Sequence, residues 1–275
     1  MDDPTRARLQ AILDSPSYRV AIEDRDFLES DVARPSRLAL EFNRTDAYLR
    51  AARIDSTVVV FGSARIADPA AAAAALARAE CMPESDPGRQ AAVAAARRAA
   101  NLSRYYDEAR LFGRELGFHC STASGRHKLV VATGGGPGIM EAANRGASDA
   151  GAPSIGFNIR LPHEQQPNPW ITPGLAFSFH YFAIRKMHFL LRARALVAFP
   201  GGYGTLDEVF EALNLVATGT IAPMPIVLVG VDYWSKVISL DYMIEQGYAD
   251  PLDRTLLQVM DSGVEAARFI LAHCG

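Results

Sequence analysis

Pro200-Gly-Gly-Tyr-Gly-Thr205, with Glu208 following, is the part of this chain whose residue types and spacing are best suited to chemistry. It leaves a short apolar run, residues 196–199, and enters a helical pattern with Leu206, Val209, Phe210 and Leu213 on one face. A strand, a glycine turn and a helix in succession aim free backbone N–H groups and the positive end of a helix dipole at an anion. Gly201, Gly202, Tyr203 and Gly204 form that turn, Thr205 can add a hydroxyl, and Glu208 falls about one turn inside the helix. An anion turn with a carboxylate beside it points to chemistry on a phosphorylated substrate.

Other stretches can contribute to the same site. Residues 128–133 are an apolar strand running into Gly134-Gly-Gly-Pro-Gly138 and then a helix with Ile139, Met140, Ala143 and Ala147 at core spacing. Gly134, Gly135, Gly136 and Gly138 thus make a second phosphate-type turn. It is neither a dinucleotide G-x-G-x-x-G followed by an acidic residue nor a P-loop, because no Gly-Lys-Ser/Thr follows. A third turn, Gly62-Ser63-Ala64-Arg65, follows the β-branched run 56–61 and reads either as a nucleotide-contacting loop or as a plain βα turn. Arg185-Lys186 lies between the two glycine-rich turns and is a candidate anion or carboxylate partner, or else a solvated pair. His163 and Glu164, in a proline-rich loop, can act as acid and base or simply stabilise the loop.

The elements that must position these residues alternate. Strands near 56–61, 128–133, 154–158, 196–199 and 225–230, with a short or edge strand at 175–179, are separated by helical patterns. This alternation predicts an α/β fold, a Rossmann-like doubly wound parallel sheet whose glycine turns converge at one edge. Residues 1–52 show helical spacing over 5–13, 21–30 and 36–52, broken at Pro16 and Pro35, and are expected to form an accessory helical segment. Residues 53–275 are then the nucleotide-binding domain. Alanine-rich tracts at 69–79 and 90–116 predict helices. So do 233–247 and 261–273, the last capped by Asp261 or Ser262.

Bulk composition narrows the function classes. A formal net charge of −3 gives no electrostatic case for a nucleic-acid partner. The 3 cysteines lack metal-ligand spacing, so neither a disulfide framework nor a zinc site is expected. No run approaches the roughly 20 apolar residues of a membrane span. The polar start, Met-Asp-Asp-Pro, lacks the apolar core of a signal peptide, so the expectation is a cytoplasmic protein.

Gly134-Gly-Gly-Pro-Gly-Ile-Met-Glu141, taken with Pro200-Gly-Gly-Tyr-Gly-Thr-Leu-Asp-Glu208, closely resembles the LOG ("Lonely guy") family over about residues 55–245. The family comprises cytokinin riboside 5′-monophosphate phosphoribohydrolases, long mislabelled lysine decarboxylases. The N-terminal helices and the alanine-rich insertion are similar to its longer bacterial branch. The resemblance implies Arg185 and Glu208 as a catalytic pair and residues 201–205 as the holder of a 5′-phosphate. It also implies hydrolysis of a purine nucleoside 5′-monophosphate such as AMP, without metal or cofactor, in a homodimer or larger assembly. The rival from another class is a non-catalytic nucleotide sensor using the same pocket. True lysine decarboxylation would need a Schiff-base lysine, and only Lys186 is near the site.

Overall fold

A computed structural model describes residues 2–120, 125–160 and 166–274. The chain separates into two compact units, residues 1–46 and 47–275. The first holds α1 (Asp3–Leu13), α2 (Arg25–Glu29) and most of α3 (Arg34–Ala51), which continues into the second. Asp2 caps α1 by accepting the Thr5 N–H at 3.1 Å, and Asp24 caps α2 by accepting that of Phe27 at 3.1 Å. The Asp24 cap sets the start of the middle helix, later than the expected position 21. Pro35, expected to break the pattern, sits in the first turn of α3, where a missing N–H costs nothing.

The second unit runs β1 (Thr57–Phe61), α4 (Pro69–Glu80), α5 (Arg89–Leu102), α6 (Arg104–Gly117), β2 (Val130–Thr133), α7 (Ile139–Asp149) and β3 (Ser154–Ile159). It continues with β4 (Ala176–Phe179), α8 (Phe182–Leu191), β5 (Ala193–Ala198), α9 (Tyr203–Ala217), β6 (Ile226–Val229), α10 (Val231–Val237), α11 (Leu240–Glu245), β7 (Leu257–Met260) and α12 (Gly263–Cys274). The seven strands form one parallel sheet in the order β4-β3-β2-β1-β5-β6-β7. The fold is α/β, Rossmann-like and doubly wound. The chain travels outward from β1 to β4, then returns to place β5 against the other side of β1. The order reverses there, and ligands of open parallel sheets bind outside the carboxyl ends of the strands at such a switch point.

Both faces of the sheet are covered, which is why its strands read as apolar runs rather than alternating ones. On one face Val58, Val60, Val131, Val197 and Val227 pack under Phe112, Leu116, Ile139 and Ile270 of α6, α7 and α12. α6 and α7 approach closely because Gly113 and Gly146 face each other's backbones, where a Cβ would strike Ala143 O and Arg110 O respectively. On the other face an aromatic cluster holds α8 down, with Phe189 4.9 Å from Phe61 and 5.5 Å from Phe157, ring centre to ring centre.

Three local expectations are corrected, and one alternative is decided. β5 starts at Ala193, because Thr57 N–H donates to Arg192 O and draws that segment into the ladder. The expected helix over 233–247 is two, α10 and α11. α9 turns Thr205, Glu208, Val209, Ala212 and Val216 inward and leaves Phe210 exposed, so its buried face is not the purely apolar one. Ser262, rather than Asp261, caps α12 by accepting the Glu265 N–H; Asp261 instead accepts the Val231 N–H. Among the described residues no helix is long and apolar enough to cross a membrane.

Candidate active site

The β1 and β5 turns are bonded to each other at the switch point. Phe199 N–H donates to Phe61 O at 2.9 Å and Ser63 N–H donates to Pro200 O at 3.0 Å. The β1 turn is held from its other side by Ile139 N–H, which donates to Ser63 O at 3.2 Å. The β5 turn is fixed by the Tyr233 hydroxyl, which donates to Gly201 O, and by the Thr205 side chain lying against the Gly201 Cα. α9 begins at Tyr203 with Gly202 at its N-cap. The first N–H groups of a helix lack intrahelical partners, and here they open toward solvent at the sheet edge.

A cavity of about 710 Å³ lies there. Its lining joins Gly62, Ser63 and Arg65 from the β1 turn, Gly134 from the β2 turn, Arg185 from α8, and the whole run from Gly201 to Glu208. Phe61, Phe182, Phe189 and Tyr233 give it aromatic walls. A cavity of this size, mostly apolar with a few convergent polar groups, suits a small organic ligand.

Glu208 is 8% exposed. Burial pushes its carboxyl up to about 7, against the attraction of Lys186 and Arg185; Glu211 and Asp207 push the same way as burial. Desolvation therefore wins over the neighbouring positive charges. Arg185 is also largely buried, and burial pulls its guanidinium down while the Glu208 charge holds it up. Its Nε–H donates to Phe157 O at 2.7 Å and its guanidinium lies 5.0 Å over the Phe189 ring. The carbonyl and the ring fix Arg185 beside Gly134, where a Cβ would sit 2.6 Å from its Nη2.

The remaining expected site residues lie elsewhere. Lys186 faces α9, with its Nζ 2.9 Å from Asp207 Oδ2 and 3.1 Å from Glu211 Oε2, and it does not line the cavity. Burial alone would lower its pKa, but the hydrogen bonds that its ammonium donates to these two carboxylates raise it. Gly135, Gly136 and Gly138 also stand behind the lining. His163 and Glu164 lie outside the described residues. A polar network that carried no signal in the sequence ties the β2 turn down. Thr133 Oγ1 donates to Asn144 Oδ1 at 2.8 Å and accepts the Gly135 N–H at 2.9 Å. Asn168 Nδ2 donates to Asn144 Oδ1 and Gly136 O at 3.0 and 3.1 Å. Isolated asparagines and threonines have no periodicity to mark them.

A family profile described as "Possible lysine decarboxylase" matches residues 140–270, which include α8, β5 and α9. Over 159 residues the chain is 30% identical to a cytokinin riboside 5′-monophosphate phosphoribohydrolase of Arabidopsis thaliana, covering 56% of this chain and 69% of that one. The chain belongs to the LOG family. A second relative is named a probable cytokinin riboside 5′-monophosphate phosphoribohydrolase, from Oryza sativa subsp. japonica. It is 31% identical over 140 residues, 50% of this chain and 59% of that one. A solved structure, a molybdenum cofactor binding protein from Rippkaea orientalis, is 18% identical with a TM-score of 0.48, covering 80% of this chain and 98% of that one. The LOG matches span only part of the chain.

Proposed function

We propose that the protein hydrolyses the N-glycosidic bond of a purine nucleoside 5′-monophosphate, AMP or a cytokinin riboside monophosphate, releasing the free base and ribose 5-phosphate. One observation carries this reading. Glu208, desolvated and raised to about 7, stands one turn inside a helix whose glycine-rich N-terminus opens into the same cavity. The activity for which the LOG relatives are named supports it.

The phosphate docks on the N–H groups of residues 202–204, so binding energy remote from the reacting bond orients the sugar. As the bond from the base to the anomeric carbon breaks, positive charge builds on the sugar. The Glu208 carboxylate faces that charge and takes a proton from the attacking water. The hydroxide oxygen bonds to the anomeric carbon, and the departing base leaves with the bonding electron pair and takes one proton from solvent, to which Glu208 then returns its own. Arg185, immobilised by Phe157 O and Phe189, favours the ionised form of Glu208 against its burial and binds sugar oxygens.

A Schiff-base lysine for decarboxylation would have to lose its proton readily, and Lys186 is held charged by two carboxylates. Purified protein incubated with AMP should release adenine detectable by chromatography. Glu208→Gln should lower that rate by about a thousandfold or more while AMP binding persists. Unchanged turnover in the variant defeats the assignment of Glu208. Tight AMP binding with no base released at any enzyme concentration would instead establish the non-catalytic sensor.

A further inference from the structure

Three basic side chains sit in or beside the motifs around the cavity, and two are committed. Lys186 is clasped by Asp207 and Glu211. Arg185 is bonded to Phe157 O, stacked on Phe189 and electrostatically engaged with Glu208. Arg65 differs: it lines the cavity, it is exposed, and its guanidinium makes no hydrogen bond or ion pair with any described residue.

Its base, by contrast, is held firmly. The Arg65 N–H donates to Ser63 Oγ at 3.1 Å, while Ser63 itself is bonded to Pro200 O on one side and to the Ile139 N–H on the other. The arm therefore rises from a fixed turn next to the N-terminus of α9. Charge balance gives it a purpose. A phosphate monoester carries about −1.5 to −2 charges near neutrality. A helix N-terminus offers about +0.5. The carboxylates that line the same cavity, Asp207 and Glu208, add negative charge of their own.

On the nucleotide reading above, we propose that Arg65 is the residue that neutralises the substrate phosphate, closing on it from the β1 turn while the α9 N-terminus holds it from the other side. The planar guanidinium suits two phosphate oxygens at once. Lys186, the cation that the motif itself suggests for this task, is unavailable because it bridges α8 to α9.

Calorimetric titration of wild type, Arg65→Ala and Arg65→Lys with AMP and with adenosine tests this. Arg65→Ala should weaken AMP about 10- to 100-fold and leave adenosine within about twofold. Arg65→Lys should recover part of the loss, because a point charge replaces a fork. In turnover assays the loss should fall on KM more than on kcat. Equal losses for AMP and adenosine, or none for AMP, overturn the assignment. Arg65→Gln, which keeps the side-chain stem, replaces the alanine variant should that one not fold. A wild type that binds no AMP refutes the nucleotide reading and this assignment together. A wild type that shows the Arg65 effect but releases no base leaves Arg65 in place and refutes only the hydrolysis.

Discussion

The β2 and β5 turns carry similar glycine-rich sequences and, apart from Gly201, which packs against Thr205, use their glycines in opposite ways. In the β2 turn the protein itself fills the space that side chains would occupy. A Cβ on Gly135 would strike Asn158 Oδ1, and one on Gly138 would strike Ser63 O. Gly138 also has φ +73°, a conformation unfavourable for any residue with a side chain. In the β5 turn a Cβ on Gly202 or Gly204 would meet nothing within 4 Å. One set of glycines lets the scaffold close on itself; the other leaves space beside a helix N-terminus. Glycine-rich sequence after a strand thus marks a tight approach without saying whether the approaching group is protein or ligand.

This contrast can be broken experimentally. The largest effect is expected from Gly138→Ala, which adds both backbone strain and a collision with Ser63 O. It should cost about 3 kcal/mol of stability, read from denaturant midpoints. A cost below about 1 kcal/mol would show that the two turns are equally open.

The next effect separates the turns by charge. The β2 turn is tied down by the neutral groups of Thr133, Asn144 and Asn168, whereas the β5 side holds the buried Glu208. A carboxyl raised from 4.5 to about 7 on folding favours the folded state when protonated. Its contribution is fully present below about 4.5 and lost as pH rises through about 7. Stability should therefore fall by about 3 kcal/mol across that window through this group. Glu208→Gln should flatten that part of the curve, and a variant that keeps the full slope would refute the attribution. The smallest effect on stability belongs to Gly204→Ala, a gain of about 0.5–1 kcal/mol from helix propensity. The same methyl group should weaken AMP roughly tenfold by taking up space in the cavity. Loss of stability with affinity intact would reverse the contrast between the turns.

The strands with continuous β-branched or aliphatic runs, such as Val58–Val60 and Ile226–Val229, were legible because burial on both faces demands such residues. β7 was not. It lies at the sheet edge, only Leu257 of it is fully buried, and its Gln258 breaks any run. Within the site, the motifs located the turns and the placement of Glu208, since both follow from spacing along one helix. They did not reveal the fate of Lys186. One residue along α8 from Arg185 is a rotation of about 100°, enough to aim its side chain at Asp207 and Glu211 on another helix. Arg65 stands in the turn after β1, but only the cavity and its lack of a partner among the described residues distinguish it from an ordinary surface arginine.

The position of β1 also bears on how the molecule is made. Val58 pairs on one side with Val131 and on the other with Ala195, far along the chain. During synthesis the second edge of the central strand stays unpaired until β5 emerges, an exposed edge of the kind that recruits wrong partners. Long-range parallel pairing of this sort is slow. The last pairing to close the sheet's centre is also the one that brings the Ser63 turn against Pro200. Assembly of the pocket and completion of the sheet are therefore one event, and nascent chains that stop short of α9 have no cavity to occupy.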